Sequence, residues 1–158
     1  MKTNDLFNRF LEVIDALGKE KVDYVLIGGF AVVLYGMPRF TQDLDLFIKS
    51  EKENVEKLQK ALYSVFKDKS IFEITYSELQ KYPVIRYGSE EGFYIDVLLK
   101  IGSAFIFEDL RFEVLNIEGH TINVASPETL YKLKEKTYRA IDQNDLIFLK
   151  ELINRSKK

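Results

Sequence analysis

Two aspartates, Asp43 and Asp45, stand one residue apart in the segment 42–48, which reads Gln-Asp-Leu-Asp-Leu-Phe-Ile. Side chains alternate between the two faces of a β-strand, so both carboxylates share one face, roughly 6 to 7 Å apart. Like charges this close on a buried strand repel each other and lose hydration. A divalent cation removes that conflict, and oxygen donors without His or Cys favour Mg²⁺ over zinc or copper. The alternative is an edge strand whose charges lie on its solvated face.

A third carboxylate, Asp96, lies in the middle of the apolar segment 93–99. A buried aspartate is costly unless a charged or hydrogen-bonding group meets it, so Asp96 needs a partner. If its strand lies beside the strand of Asp43 and Asp45, the three carboxylates converge on one site. Such a cluster is the usual means of holding two Mg²⁺ ions for phosphoryl or nucleotidyl transfer.

The elements that must position these residues follow from hydrophobic periodicity and from turn and cap signals. Helices are predicted over about 4–17, 30–35, 50–66, 126–139 and 142–154. Residues 50–53 have a capping-box pattern that would open the third helix. Strands are predicted over 22–27, 42–48, 71–75, 84–87, 93–99, 112–117 and 121–124, with hairpins in the second half of the chain.

Length and charge limit the classes of protein to consider. The chain has 158 residues and 46% apolar residues, which suits one domain over 1–158, with a core at about 22–125 and a C-terminal helical segment at 126–158. A net charge of −2 leaves little basic surface, so duplex DNA binding is not expected. Residues 126–158 carry eight Lys or Arg and five Asp or Glu, an excess of three positive charges. That segment either attracts phosphates or is an ordinary solvated helical face.

Cysteine is absent, which excludes disulfides, thiolate metal sites and a cysteine nucleophile. The N-terminal residues lack the apolar core of a signal peptide, and no segment approaches the ~20 apolar residues that cross a bilayer. We therefore expect a soluble cytoplasmic protein that does not associate with membranes.

Gly28 and Gly29 follow a predicted strand and precede a helix, which brings backbone N–H groups and a helix N-terminus to one point. This arrangement suits phosphate oxygens, although Gly-Gly also occurs in plain connections. The chain has neither a P-loop nor a dinucleotide-binding fingerprint. Arg39 and Thr41 precede Asp43 by four and two residues. If the strand of Asp43 already begins at residue 39, all three side chains lie on the same face of it. Arg39 would then pair with a phosphate or with an acid.

The order and spacing of these residues resemble the signature of the DNA polymerase β-type nucleotidyltransferase superfamily: Gly28-Gly29, an interval of thirteen residues, Asp43-Leu44-Asp45, and the later Asp96. Within it, the chain is similar to the small AbiEii-like group, which includes toxin components of toxin–antitoxin systems. The residues that carry this second likeness are Gly28-Gly29-Phe30-Ala31, Gly36, Arg39-Phe40-Thr41-Gln42, Ser126-Pro127-Glu128, Lys134, Arg139, Asp142 and Asp145.

The resemblance implies an α+β fold with a mixed β-sheet, flanking helices and C-terminal helices. It also implies Mg²⁺-dependent transfer of a nucleoside monophosphate from a nucleoside triphosphate, with Mn²⁺ as a substitute. Asp43, Asp45 and Asp96 would be the metal ligands and catalytic residues. The nucleotide-binding residues would be Gly28, Gly29, Arg39, Thr41, Lys134 and Arg139. For Lys134 and Arg139 the alternative is a surface position, with partners among Glu128, Glu135 and Asp142.

The acceptor stays open between an RNA such as tRNA, a protein and a small molecule. A chain of this size leaves little room for an acceptor-binding domain, so a partner chain or a homodimer would supply that surface. A second hypothesis is a catalytically silent nucleotide-binding module that acts as an antitoxin or regulator. The presence of all three aspartates favours catalysis, and a third reading is an α+β interaction domain with unrelated acids.

Overall fold

The computed structural model describes residues 3–38, 41–103, 105–136 and 142–157. The helices of the described part are α1 (Thr3–Lys19), α2 (Gly28–Leu34), α3 (Lys52–Phe66), α4 (Tyr76–Lys81), α5 (Pro127–Lys136) and α6 (Asp142–Ser156). The strands are β1 (Tyr24–Ile27), β2 (Asp43–Ile48), β3 (Ile85–Gly88), β4 (Tyr94–Leu98), β5 (Lys100–Ile101), β6 (Phe105–Ile106), β7 (Phe112–Ile117) and β8 (His120–Ala125). Among these helices, none has the length and apolar character needed to cross a membrane.

A mixed six-stranded sheet organises the fold in the order β3-β4-β2-β1-β8-β7. β2 pairs with β4 in parallel and with β1 antiparallel, while β8 pairs with β1 in parallel. The hairpins β3-β4 and β7-β8 complete the two edges, and β5 and β6 form a separate two-stranded sheet. The predicted α+β class, with a mixed sheet, flanking helices and C-terminal helices, is confirmed.

The central position of β2 in the sheet explains why apolar residues surround the aspartates in its sequence. It lies between β1 and β4, and Leu44, Leu46, Phe47 and Ile48 are fully buried. Burial of such side chains stabilises a fold by about 1.5 to 3 kcal/mol each. The position of β2 therefore fixes the backbone that carries Asp43 and Asp45, so the exposed edge strand considered above is not what forms.

Helix α1 is amphipathic and places one apolar face on the core. Phe10, Ile14 and Leu17 are buried at helical spacing, and α1 packs against α3 and β8. The ring of Phe10 stacks on that of Phe30 in α2, with ring centroids 4.6 Å apart. Helix α2 also contacts β1, β2, α5 and α6. The short helix after Gly28 is thus held by the sheet on one side and by the C-terminal helices on the other.

The predicted strand over 71–75 is wrong, because this segment begins as a 3₁₀ helix over Lys69–Glu73 and leads into α4. The Asp68 carboxylate accepts a hydrogen bond from the backbone N–H of Ser70, and the Thr75 hydroxyl accepts one from Glu78. Ile71 and Ile74, three residues apart, are both buried. These local caps and the helical spacing outweigh the β-propensity of the segment.

The predicted capping box at residues 50–53 is also absent. The N-cap of α3 is Glu51, and its side chain makes no capping hydrogen bond. The hydroxyl of Ser50 lies 3.4 Å from the Tyr76 hydroxyl instead. The start of α3 is fixed by Asn54, which donates hydrogen bonds to the carbonyl oxygens of Asp23 and Lys49.

Candidate active site

Asp45 and Asp96 are direct partners in the parallel pairing of β2 with β4. Asp43 lies two residues earlier on β2, so the alternation of the strand places it on the same face as Asp45. All three carboxylates line one cavity of about 240 Å³. The remaining lining residues are Gly28, Arg86 and Lys134, with apolar walls from Ile27, Val84, Leu98, Ile101, Leu130 and Leu133.

Gly28 is required where the chain passes over Asp45. Strand β1 ends at Ile27, opposite Asp45, so Gly28 is the next residue above that carboxylate. Its φ of 77° lies in the left-handed region, and a Cβ at this position would overlap Oδ2 of Asp45. A glycine here therefore permits the close approach of the backbone to the acidic cluster.

The surroundings of Asp45 favour the protonated form of its carboxyl group. Burial raises the pKa of Asp45 to about 7, and the charge of Asp96, a hydrogen bond with Asp96 and the charge of Asp43 act in the same direction. The charge of Lys134 lowers that pKa but does not cancel the rise. A cluster in this state favours a proton or a bound cation.

Arg86 on β3 was not predicted as a site residue, yet it forms ion pairs with two of the carboxylates. Its Nε donates to Oδ1 of Asp96 at 2.8 Å, and its Nη2 donates to Oδ2 of Asp96 at 3.0 Å and to Oδ2 of Asp43 at 3.4 Å. The guanidinium also lies over the Tyr94 ring, 5.1 Å from its centroid. The hydrogen bond to Asp96 raises the pKa of Arg86, so its charge is permanent. A lone charge in the apolar segment 84–87 was the sequence signal for it.

Lys134 of α5 is buried, so its predicted alternative as a solvated surface residue is wrong. Its Nζ lies 2.8 Å from Oδ2 of Asp145 in α6, and the two side chains are only 8% and 1% exposed. Lys134 also lines the same cavity as Gly28 and the aspartates. The ion pair therefore joins α5 to α6 at the wall of the acidic cavity.

Other predicted nucleotide-binding residues lie elsewhere or outside the described residues. The strand begins at Asp43, and the Thr41 hydroxyl contacts the backbone of Asp43 instead of the cavity. Gly29 is the second residue of α2 and does not line the cavity. Arg39 and Arg139 fall outside the part of the chain that the structure describes.

The donor set suits a hard divalent cation. Within the described ranges, no group of three or more His, Cys, Asp or Glu side chains is arranged as a ready-made metal site, and Arg86 holds oxygens of both Asp43 and Asp96. The chemistry nevertheless fits Mg²⁺, since three carboxylates on adjacent strands offer only oxygen ligands. Burial, which is the largest cause of the raised pKa of Asp45, makes an uncompensated carboxylate at this position costly.

Solved structures with this arrangement of sheet and helices define the class of fold. An antigenic nucleotidyltransferase-like protein from Paracoccidioides brasiliensis has a TM-score of 0.60 and 20% identity, over 96% of this chain and 78% of its own. A candidate nucleotidyltransferase from Thermotoga maritima has a TM-score of 0.56 and 17% identity, over 98% and 96%. A lincosamide antibiotic adenylyltransferase with lincomycin bound has a TM-score of 0.55 and 20% identity, over 90% and 95%. The fold is nucleotidyltransferase-like.

The family itself is shown by the sequence. Residues 6–158 match the model of the family described as nucleotidyl transferase of unknown function (DUF2204), so the chain belongs to this family of nucleotidyltransferases. No curated protein sequence matches the chain significantly. The predicted superfamily is confirmed, whereas membership in the AbiEii-like group stays a prediction.

Proposed function

We propose that this protein is a Mg²⁺-dependent nucleotidyltransferase that uses the Asp43, Asp45 and Asp96 cluster to move a nucleoside monophosphate from a nucleoside triphosphate to an acceptor. The observation that carries the proposal is the register of Asp45 against Asp96 on adjacent strands. Asp43 joins them in a cavity that also contains Lys134. Mn²⁺ is expected to substitute, because it accepts the same oxygen ligands.

The reaction forms one bond and breaks one bond at the α-phosphorus. The acceptor oxygen attacks that phosphorus, the bond to the bridging oxygen of the β-phosphate breaks, and pyrophosphate leaves. Asp96 takes the proton of the acceptor hydroxyl as general base. When bound, Mg²⁺ held by the three aspartates would offset the negative charge of the phosphates and of the departing pyrophosphate.

Lys134 has a separate role in this proposal. Its ammonium group lies at the cavity wall and is held by Asp145, 2.8 Å away. A cation fixed in this way is preorganised, so it stabilises charge on the phosphates without first having to be ordered. Contacts of the phosphates with the backbone of Gly28 and Gly29, and with Arg39, Thr41 and Arg139, stay predictions from the sequence.

The acceptor is a hydroxyl or phosphate group on an RNA such as tRNA, on a protein or on a small molecule. The lincosamide adenylyltransferase illustrates a small-molecule acceptor on the same fold. A tRNA or protein acceptor would suit a toxin component of a toxin–antitoxin system. A partner chain or a second copy would supply the surface that recognises such a macromolecule.

The experiment that tests the proposal is incubation with each nucleoside triphosphate labelled at the α-phosphorus, Mg²⁺ and cell extract. We expect one triphosphate to leave its label on an RNA, protein or small-molecule fraction. EDTA should abolish the labelling, and Mn²⁺ should restore it. Extract without the protein is the control, and an absence of label with all the triphosphates would contradict transferase activity.

A catalytically silent nucleotide-binding module is the second candidate, and Arg86 is the observation that favours it. An arginine that permanently neutralised Asp43 and Asp96 would leave a triphosphate pocket without metal-dependent turnover. Such a protein would bind triphosphate with the same affinity in EDTA and in Mg²⁺, and it would transfer no label. The two candidates therefore give opposite results in the labelling experiment.

A further inference from the structure

Arg86 has an unusual set of partners for a half-exposed arginine. Within the described part of the chain, the hydrogen bonds of its side chain go to Asp96 and Asp43. The Arg86 side chain is 52% exposed, so little packing fixes it, and its guanidinium also lies over the face of the Tyr94 ring. Arg86 is therefore held mainly by the two carboxylates, and it can leave them without opening the core.

Arg86 and a divalent cation compete for the same oxygens. A Mg²⁺ ion lies about 2.0 to 2.1 Å from its ligands. With Nε of Arg86 2.8 Å from Oδ1 of Asp96 and Nη2 3.0 Å from Oδ2, both oxygens of that carboxylate are already engaged. An ion on these oxygens would stand within a few ångströms of the guanidinium, where two positive charges repel strongly.

A displaced Arg86 would need a new anion in the same cavity. Arg86 lines this cavity together with Lys134 and Gly28, so a triphosphate bound there would lie within its reach. The fork of guanidinium donors that now meets Asp96 matches the geometry of phosphate oxygens equally well.

We propose that Arg86 is a triphosphate-binding residue that occupies Asp43 and Asp96 in the metal-free protein, and that a divalent cation displaces it onto the triphosphate. This inference rests on the proposed function, because it takes Asp43 and Asp96 as metal ligands. It adds a residue to the site and gives an order of events: metal and triphosphate enter together, and each replaces one partner of the ion pair.

The first arm of the test measures Mn²⁺ binding alone, by the loss of the electron paramagnetic resonance signal of free Mn²⁺. Arg86→Gln removes the competing charge, so we expect its affinity for Mn²⁺ to exceed that of the parent by about tenfold, since a hydrogen bond to a charged group is worth about 1.5 to 3 kcal/mol. Arg155→Gln is the matched control, because Arg155 is exposed and pairs with Glu151 on α6. Its Mn²⁺ affinity should equal that of the parent.

The second arm measures inorganic tripolyphosphate by calorimetry at saturating Mg²⁺, so that the unknown base plays no part. Arg86→Gln should bind tripolyphosphate at least about tenfold more weakly than the parent and Arg155→Gln. Arg86→Lys keeps a positive charge but loses the forked donors of the guanidinium. Its affinities for Mn²⁺ and for tripolyphosphate should therefore each lie between those of the parent and of Arg86→Gln. This variant also serves if Arg86→Gln does not fold.

The outcomes separate this inference from the proposed function. Equal Mn²⁺ affinity in the parent and in both Arg86 variants would contradict the competition of Arg86 with the cation for Asp43 and Asp96. Tripolyphosphate affinity unchanged in Arg86→Gln would contradict the binding of triphosphate by Arg86. Both results leave the metal site intact if Asp96→Asn still weakens Mn²⁺ binding. If neither the parent nor any Arg86 variant binds Mn²⁺, the metal site of the proposed function fails, and the inference fails with it.

Discussion

Asp45 on β2 lies directly opposite Asp96 on the parallel strand β4, and both carboxyl groups line the same cavity. Two acids in this relationship cannot both ionise without cost, because each desolvates and repels the other. The pairing destabilises the metal-free fold and favours the binding of a cation. It therefore affects the free energy of unfolding, the dependence of that free energy on pH, and the affinity for divalent cations.

Asp45→Asn should stabilise the metal-free protein, and more so at pH 8 than at pH 5. The pKa of Asp45 is about 7 in the folded state and near 3.8 in the unfolded chain, so the folded protein holds more protons between these values. The free energy of unfolding of the parent therefore falls as the pH rises from about 4 to 7. The groups that face Asp45 are Asp43 and Asp96 on the sheet, Arg86 on β3 and Lys134 on α5.

Urea unfolding in EDTA at the two pH values measures this difference. Asp23→Asn, an exposed aspartate outside the cavity, is the matched control, and it should lack the extra stabilisation at pH 8. A parent as stable as Asp45→Asn at pH 8 would contradict the conclusion that the ionised Asp45 carboxylate destabilises the metal-free fold.

Gly28→Ala should both destabilise the protein and weaken Mn²⁺ binding. A non-glycine residue in the left-handed region costs of order 1 to 3 kcal/mol, and the added Cβ would push Asp45 out of place. Gly18→Ala is a suitable control, because a Cβ there meets nothing within 4 Å and Gly18 lies in the last turn of α1. Thermal unfolding and Mn²⁺ titration should separate the two variants, and Mn²⁺ binding equal to the parent in Gly28→Ala would argue against this role.

Lys134→Ala should destabilise the fold by about 3 to 5 kcal/mol, because Asp145 loses its ammonium partner in a buried position. It should also weaken tripolyphosphate binding by roughly tenfold or more, if the lysine contacts phosphate. Lys132→Ala, on an exposed position of the same helix, should change neither quantity much.

The double variant Lys134→Met with Asp145→Leu separates the two roles of the lysine. Replacing both members of a buried pair by apolar residues is often neutral or stabilising, so we expect most of the stability to return. The weak tripolyphosphate binding should persist. A double variant that binds tripolyphosphate as well as the parent would assign Lys134 to joining α5 with α6 and to nothing else.

The sequence alone could predict the parity of Asp43 and Asp45, because strand alternation is a local property. That Asp96 lies beside Asp45 followed from the residues only on the condition that their strands are neighbours, since strand order depends on contacts between distant segments; the family resemblance supplied that expectation. Arg86 was missed for a related reason: the connection over 88–92 does not by itself set the hairpin register that places Arg86 opposite Asp96. The burial of Lys134 likewise depends on α6 packing against α5. The role of Arg86 and the burial of Lys134 thus depend on pairing and packing between separate elements, whereas the spacing of Asp43 and Asp45 is local.

The measurement that tests the central claim most directly compares Asp45→Asn with the parent in transfer of label from the α-phosphorus of the triphosphates, at saturating Mg²⁺. Circular dichroism first establishes that both proteins are folded. We predict that the parent labels an acceptor and that Asp45→Asn does not, because the variant loses a metal ligand while keeping the fold. Equal labelling by folded Asp45→Asn would contradict nucleotidyl transfer at the Asp43, Asp45 and Asp96 cluster.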